Sequence, residues 1–287
     1  MVNPSFNGLR VLSFESRRSA EIATLIANYG GQAISAPALR EVPIESNTEA
    51  VAFADALIRG EIDLLILLTG VGTRALIAIA DKTRDRAAFV GALGRTRIAA
   101  RGPKPVAALR EIDVAPWVVA PEPNTWRELL AALDGKASEF PLRDAHVAVQ
   151  EYGASNPRLL DGLRERGCAV TRVPVYRYAL PDDTRPLEHA ARTVAAGQLD
   201  VALFTTSMQI VHLLEIARQH DLEDAVRQGF QSLAVASIGP TTSEELREQG
   251  ISVDIEASHP KMGFLVREAA ERAAAILRRK RGGAAVG

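Results

Sequence analysis

The sequence predicts an α/β protein of two similar lobes, each a parallel sheet flanked by helices, joined by two extended linkers and related by tandem duplication. Three observations predict it. First, the chain matches itself without a gap at a shift of 137 residues, the separation of Gly30 from Gly167. At that shift Pro37 falls on Pro174, Asp63 on Asp200 and Gly102-Pro103 on Gly239-Pro240, and the apolar run Leu64–Leu68 falls on Val201–Thr205. So long a period is a doubled half-protein, since solenoid repeats run at roughly 20–50 residues. Second, short apolar runs alternate with segments of helical spacing, the pattern of parallel sheets covered on both faces. Third, two stretches rich in proline and polar residues, Ala36–Asn47 and Val173–Pro186, hold equivalent places in the halves. Linkers there would place residues 1–40 and 178–287 in lobe 1 and residues 41–177 in lobe 2. Two such lobes would enclose a cleft, a usual place for a ligand.

The elements follow in order. Leu9–Phe14 reads as a strand, and Ser16–Ala27 as a helix stopped by Gly30-Gly31. Gln32–Leu39 is extended and Thr48–Arg59 helical. Asp63–Leu68 is a continuous apolar run, as in a strand buried on both faces. Val71–Ala80 is helical, Arg97–Ala100 a strand and Pro103–Ile112 a helix. Pro116–Ala120 is a strand, and Asn124–Leu133 a helix with Asn124 as its expected N-cap. The second half repeats the series. Its strands are His146–Gln150, Ala169–Tyr178, Val201–Thr205, Leu233–Ile238 and Val253–Glu256. Its helices are Asn156–Arg166, Glu188–Ala196, Met208–Gln219, Thr241–Gln249 and Lys261–Arg279.

Composition narrows the function. The chain has 287 residues, a formal net charge of −1 and 5% aromatics. Neutral balance favours neither nucleic acid nor membrane, and few aromatics argue against a base-stacking platform. The single cysteine, Cys168, excludes an internal disulfide and points to a reducing compartment. Residues 1–10 lack a signal-peptide core, and no apolar run nears the ~20 residues of a membrane helix. A cytoplasmic protein is expected. The end, Arg278-Arg279-Lys280-Arg281 followed by 282–287, reads as a basic flexible tail on a solvated helix terminus.

Ligands of parallel sheets bind beyond the carboxyl ends of strands, where helices begin. Those turns are Glu15–Arg18, Thr69–Arg74, Arg101–Lys104 and Pro121–Thr125 in the first half. In the second they are Glu151–Asn156, Thr205–Gln209, Gly239–Thr242 and Ser258–Met262. Thr69, Gly70 and Gly72 are expected to leave backbone amides open, as are Thr205, Thr206 and Ser207, and Gly239, Thr241 and Thr242. Open amides at a helix start bind anions. Arg17, Arg18, Arg101, Gly102, Lys104, Tyr152, Lys261 and Met262 complete the candidate binding set. The basic residues have two readings, solvated charge or carboxylate partner. No GxGxxG or GxxxxGK[ST] phosphate loop is present, the five histidines lack metal-ligand spacing, and no serine sits in a nucleophile elbow. His212 reads as a packed or solvated helix residue, and Cys168 as a small core residue.

The string Val235-Ala-Ser-Ile-Gly-Pro-Thr-Thr-Ser-Glu-Glu-Leu-Arg-Glu-Gln-Gly250 resembles the signature segment of uroporphyrinogen-III synthases. Asp200–Ser207 is similar to that family's strand before a second-lobe helix, and Val173–Tyr178 to its inter-lobe strand. Asp63–Ala75 and Arg101–Lys104 are similar to bacterial members. The resemblance spans roughly residues 8–275. It implies a cofactor-free, metal-free lyase that cyclises hydroxymethylbilane to uroporphyrinogen III, inverting the last ring and losing water. A transient handover of the bilane from the preceding pathway enzyme is left open by the sequence, and a monomer is expected. Tyr176 matches the inter-lobe tyrosine proposed to help the hydroxyl leave, with hinge packing as its other reading. Thr241 and Thr242 match cleft threonines. Two departures stand out. Glu15 puts an acid where many members have a Thr-Arg-Pro turn, and Pro105 stands where a small or hydroxylic residue is common. A non-catalytic two-lobed binding or regulatory paralogue is the alternative.

Overall fold

The Asp63–Leu68 run becomes a strand whose four residues, Leu64–Leu67, are all buried, as a strand covered by helices on both faces must be. This computed structural model describes residues 3–44, 47–153 and 155–282, with Pro43 and Tyr152 described by backbone alone. The chain divides into two units, residues 1–40 with 180–287 and residues 41–179.

The first unit opens with β1 (Arg10–Ser13), α1 (Ser19–Asn28) and β2 (Gln32–Ser35), and β3 (Arg40–Pro43) carries the chain out. The second unit continues with α2 (Thr48–Ile58), β4 (Leu64–Leu67), α3 (Gly70–Thr83), α4 (Arg86–Arg95), β5 (Arg97–Ala100), α5 (Pro103–Arg110), β6 (Val118–Val119) and α6 (Trp126–Asp134). It ends with β7 (His146–Gly153), α7 (Pro157–Glu165) and β8 (Ala169–Ala179). The chain then completes the first unit with α8 (Arg185–Ala195), β9 (Val201–Phe204), α9 (Met208–Gln219) and α10 (Glu223–Phe230). The last elements are β10 (Ala234–Ser237), α11 (Pro240–Glu248), β11 (Ile255–Glu256) and α12 (Met262–Gly282).

The strand order is β11-β10-β9-β1-β2 in the first unit and β3-β8-β7-β4-β5-β6 in the second. The first sheet therefore joins the β-α-β of the first repeat to three strands of the second, and the second sheet joins the β-α-β of the second repeat to four strands of the first. The segments expected as linkers are partly strands, because β3 and the end of β8 are neighbours in the second sheet. Strand β8 runs through Ala179, so the chain leaves that unit after residue 179 rather than 177.

Ladder register corrects the repeat. Val11 faces Val201 and Val147 faces Leu64. Val201 and Leu64 are counterparts at the shift of 137, so Val11 corresponds to Val147, not to Ala148. Beside them lie Ala33 and Val170, again 137 apart. The second half has one more residue between its first two strands, a gap invisible where identity is low. Two helices, α4 and α10, were not expected from the sequence. They are short and contain Gly91, Gly94 and Gly229, which weaken the helical signal. Gly229 has a packing reason, since a Cβ there would overlap the carbonyl oxygen of Val194 on α8.

Each sheet has a core on either face. In the first unit, α1 and α12 bury Ile22, Ile26, Leu265 and Val266 against Val11 and Val201. On the other face α8, α9 and α10 bury Leu187, Leu213 and Phe230 against Leu12, Ala202 and Phe204. In the second unit α6 and α7 cover Leu64, Ile66 and Val147, and α2, α3 and α4 cover Leu65, Leu67 and Ala148. At the amino edge, Asp63 Oδ2 accepts the His146 amide and Asp200 Oδ2 accepts the Arg10 amide, both at 2.8 Å. The basic segment is not a flexible tail over residues 278–282, which are helical. Arg281 Nη1 donates to Asp200 Oδ1 at 2.9 Å and Nη2 to the Leu199 carbonyl at 2.8 Å.

Candidate active site

All strand pairings with described register are parallel, so each unit has one carboxyl edge. Arg17 and Arg18 follow β1, Thr205–Ser207 follow β9, Gly239–Thr242 follow β10, and Lys261 and Met262 follow β11. They sit along the carboxyl edge of the first unit. Thr69, Gly70 and Gly72 follow β4, and Arg101, Gly102 and Lys104 follow β5. With Tyr152 at the end of β7 and Tyr176 in β8, they belong to the carboxyl edge of the second. The Tyr152 side chain lies outside the described residues.

In the first unit the expected open amides after β9 are already engaged. Gln209 Oε1 accepts the Thr205 amide at 2.8 Å and the Thr206 amide at 3.3 Å, while its Nε2 donates to Thr205 Oγ1 at 2.9 Å. The Thr205 hydroxyl in turn donates to Glu15 Oε2 at 2.6 Å. Arg18 does not reach for a ligand, because its guanidinium bonds Glu21 on the next turn, with Nε at 2.7 Å from Oε2. Arg17 and Lys261 are exposed, whereas Met262 is buried in the core under α12.

Helix α11 differs. It begins with Gly239, which has no capping side chain, and Pro240, which has no amide hydrogen. The amides of Thr241 and Thr242 come next, with the Thr241 side chain exposed and Thr242 buried. Hydroxyl contact between the fully buried Ser237 and Ser243 pins the helix start to β10.

In the second unit, Thr69 caps α3 by accepting the Gly72 amide at 3.0 Å. Gly70 and Gly72 serve close packing rather than an amide cradle. A Cβ on Gly70 would lie 2.6 Å from the Lys104 carbonyl oxygen, and one on Gly72 would overlap the Gln150 side chain. Gln150 is fully buried, and its Oε1 accepts the Leu68 amide at 3.3 Å. Leu68 is the counterpart of Thr205, so the same strand-end amide meets a glutamine in each unit. In one it comes from α9, in the other from β7, and Gly72 leaves room for it. Both glutamines were missed: Gln150 carries no local signal, whereas Gln209 stands three residues after Thr206, the spacing of a capping-box glutamine, which could have marked it.

Helix α5 is the counterpart of α11, with Gly102 as its uncapped start and Pro103 first. Pro105 removes a second amide hydrogen, so this end presents fewer donors than α11. Asn124 is not the cap of α6. It adopts a positive φ of 60°, and its amide donates to the carbonyls of Arg101 (3.2 Å) and Ala120 (3.0 Å). Thr125 caps α6 in a capping box with Glu128. Lys104 is exposed and Arg101 half-buried.

Tyr176 is 7% exposed and packs among Val173, Val175 and the α2–α3 core. Its ring meets Tyr178 edge-on at 5.7 Å. His212 is buried and donates from Nδ1 to the Ala38 carbonyl at 2.7 Å. Burial pushes the Cys168 thiol up from its ordinary value, as suits a packed residue. Among the described residues no cluster of histidine, cysteine or carboxylate could hold a metal, and no helix is long and apolar enough to cross a membrane.

Parallel sheets with helices on both faces, in two units built from exchanged repeats, define a duplicated α/β protein whose carboxyl edges gather amides, hydroxyls and cations. The family model for uroporphyrinogen-III synthase HemD matches residues 20–267, and the chain belongs to the uroporphyrinogen-III synthase family, one of cyclising lyases. Two crystal structures of uroporphyrinogen III synthase from the extreme thermophile Thermus thermophilus are similar. One is 26% identical with a TM-score of 0.72, covering 93% of this chain and 99% of that one. The other is 25% identical with a TM-score of 0.56, covering 96% and 100%. A Methanothermobacter thermautotrophicus protein provisionally named a uroporphyrinogen-III synthase is 30% identical, over 82% of this chain and 87% of its own. The uncharacterized protein YjjA of Bacillus subtilis is 28% identical, over 92% of this chain and 96% of its own.

Proposed function

We propose that this protein is a uroporphyrinogen-III synthase, converting hydroxymethylbilane to uroporphyrinogen III with inversion of ring D and loss of water. The observation that carries the reading is the uncapped start of α11, where Thr241 and Thr242 offer amides and a hydroxyl toward an anionic ligand. Exposed Arg17, Lys261 and Lys104 add cations at the two carboxyl edges. A substrate with eight carboxylates needs many such donors and little else. Its hydroxymethyl C–O bond breaks with help from the ring nitrogen, and the departing oxygen leaves as water. The remaining task is to present the substituted carbon of ring D to the resulting cation, through a spiro-type intermediate, and positioning of this kind is what fixed donors supply. Tyr176 is the proposed aid to the leaving hydroxyl. No cofactor is invoked. The protein acts as a monomer in this reading, in the cytoplasm, receiving its unstable substrate from the preceding enzyme.

The test supplies hydroxymethylbilane and measures the ratio of uroporphyrinogen isomers. Enrichment in isomer III over the enzyme-free reaction is expected, and an unchanged ratio rejects the proposal. The Glu15–Thr205 bond favours a second reading, a binding paralogue whose first unit is closed to one carboxylate. The same assay separates the two.

A further inference from the structure

Resting on that reading of the site, we propose that Glu15 sets ligand specificity by filling, with its own carboxylate, the place a ligand carboxylate would take in the first unit. Helices leave β1 and β9 toward opposite faces of the sheet, α1 packing with α12 and α9 with α8 and α10. Neighbouring strands whose helices diverge open a crevice at their carboxyl ends, the default ligand position of a parallel sheet. Glu15 and Thr205 stand at the mouth of that crevice. Glu15 Oε2 accepts the Thr205 hydroxyl at 2.6 Å, and Oε1 accepts the Arg18 amide at 3.2 Å, at the start of α1. One oxygen on a hydroxyl and one on the amide of the N-cap residue of α1 is how a bound carboxylate would be held.

The second unit supplies the control. Glu151 holds the ladder position equivalent to Glu15, four residues beyond Val147 as Glu15 is beyond Val11. It is buried and neutralised, with Arg172 Nε at 2.9 Å from Oε2 and the Ser155 hydroxyl at 2.7 Å from Oε1. Its counterpart of Thr205 is Leu68, which has no hydroxyl. Glu151 is thus half of an internal ion pair. Glu15 has no comparable ion pair, since the Arg18 guanidinium bonds Glu21 and attracts the Glu15 carboxylate only at longer range. A negative charge already on the Thr205 hydroxyl, with no salt bridge of the Glu151 kind, repels a further carboxylate. An acid arm of an eight-carboxylate ligand therefore gains no bond at this crevice, and the preference for eight acidic arms over four is smaller than it would be without Glu15.

Equilibrium binding of uroporphyrin I, with eight carboxylates, and coproporphyrin I, with four carboxylates and four methyl groups, tests this by fluorescence on the full-length protein. Glu15→Ala should tighten uroporphyrin by about tenfold, the worth of one recovered charge-assisted bond, and leave coproporphyrin within about twofold. Glu15→Gln, which keeps the side chain in place, should give a smaller gain in the same direction. Adding Thr205→Val to Glu15→Ala should abolish the gain. Equal ratios of the two affinities in wild type and both Glu15 variants, with native circular dichroism, overturn the proposal. Wild-type protein that shows the expected shifts yet yields no excess of isomer III sustains the role of Glu15 and rejects the synthase. Protein that enriches isomer III while its porphyrin preference ignores Glu15 does the reverse.

Discussion

Lys280 Nζ lies 2.6 Å from Asp254 Oδ2, the same oxygen that accepts the Val235 amide at 2.8 Å. The ammonium also donates to the Leu233 carbonyl at 2.7 Å. Helix α12 thereby ties its last turn to the amino ends of β10 and β11. Both side chains are largely buried, at 18% and 12% exposure, so removing the cation strands a carboxylate in a dry setting. Lys280→Met should cost about 1–3 kcal/mol of stability, read from urea unfolding. An unchanged midpoint would mean that the clamp adds nothing to the fold.

Gly72 and Gln150 form a steric pair. Gly72→Ala should cost about 1–3 kcal/mol by forcing the carboxamide off the Leu68 amide. Part of that loss should vanish in Gly72→Ala with Gln150→Ala, a coupling that a double-mutant cycle measures. Additive losses would disprove contact between the two sites.

Arg166 grips Asp134 with two bonds, Nε to Oδ1 at 2.7 Å and Nη2 to Oδ2 at 2.6 Å. The guanidinium holds the Asp134 carboxyl below its ordinary value. A depressed folded value contributes stability above the unfolded pKa, about 3.9, and that contribution disappears as pH falls through the folded one. Between about pH 6 and pH 3 the urea midpoint of wild type should therefore drop more than that of Asp134→Asn. Parallel profiles would rule the pair out as an acid-sensitive contact.

Thr241 and Thr242 should separate binding from folding. Thr241 is exposed and Thr242 buried. Thr241→Ala should raise KM for hydroxymethylbilane by about tenfold, the scale of one hydrogen bond to a charged group, with Tm unchanged. Thr242→Val should lower Tm as well. Tyr176→Phe should lower kcat only in part, because the ring nitrogen still expels the hydroxyl. Identical kinetics would confine Tyr176 to the packing seen around it.

The architecture was legible because it depends on signals spread over many residues. Runs such as Asp63–Leu68 and the doubled Gly-Pro helix starts survive low identity. The exchange of strands between repeats was legible only through the equivalent places of the two proline-rich segments. The one extra residue between Val147 and Val170 was not, since apolar strand positions at neighbouring registers look alike. Gly239, Thr241 and Thr242 were singled out by their chemistry, and they lie at the start of α11. Gly70 and Gly72 were chosen for open amides, but packing against Lys104 and Gln150 is what requires them. Gln150 and Asn124 act through Leu68 and Arg101, distant in sequence, and no local pattern announces them, whereas Gln209 reaches back three and four residues to Thr206 and Thr205. The tail misled because Lys280 and Arg281 look solvated until Asp254 and Asp200 are placed beside them.

The sharing of strands between repeats also orders the birth of the protein. A ribosome finishes residues 41–179, all that the second unit needs, before it makes β9. Until Val201–Phe204 emerges, β1 has a bare flank and β1-α1-β2 lacks its partner strand. Residues 41–179 can close their sheet while β1 still waits for β9.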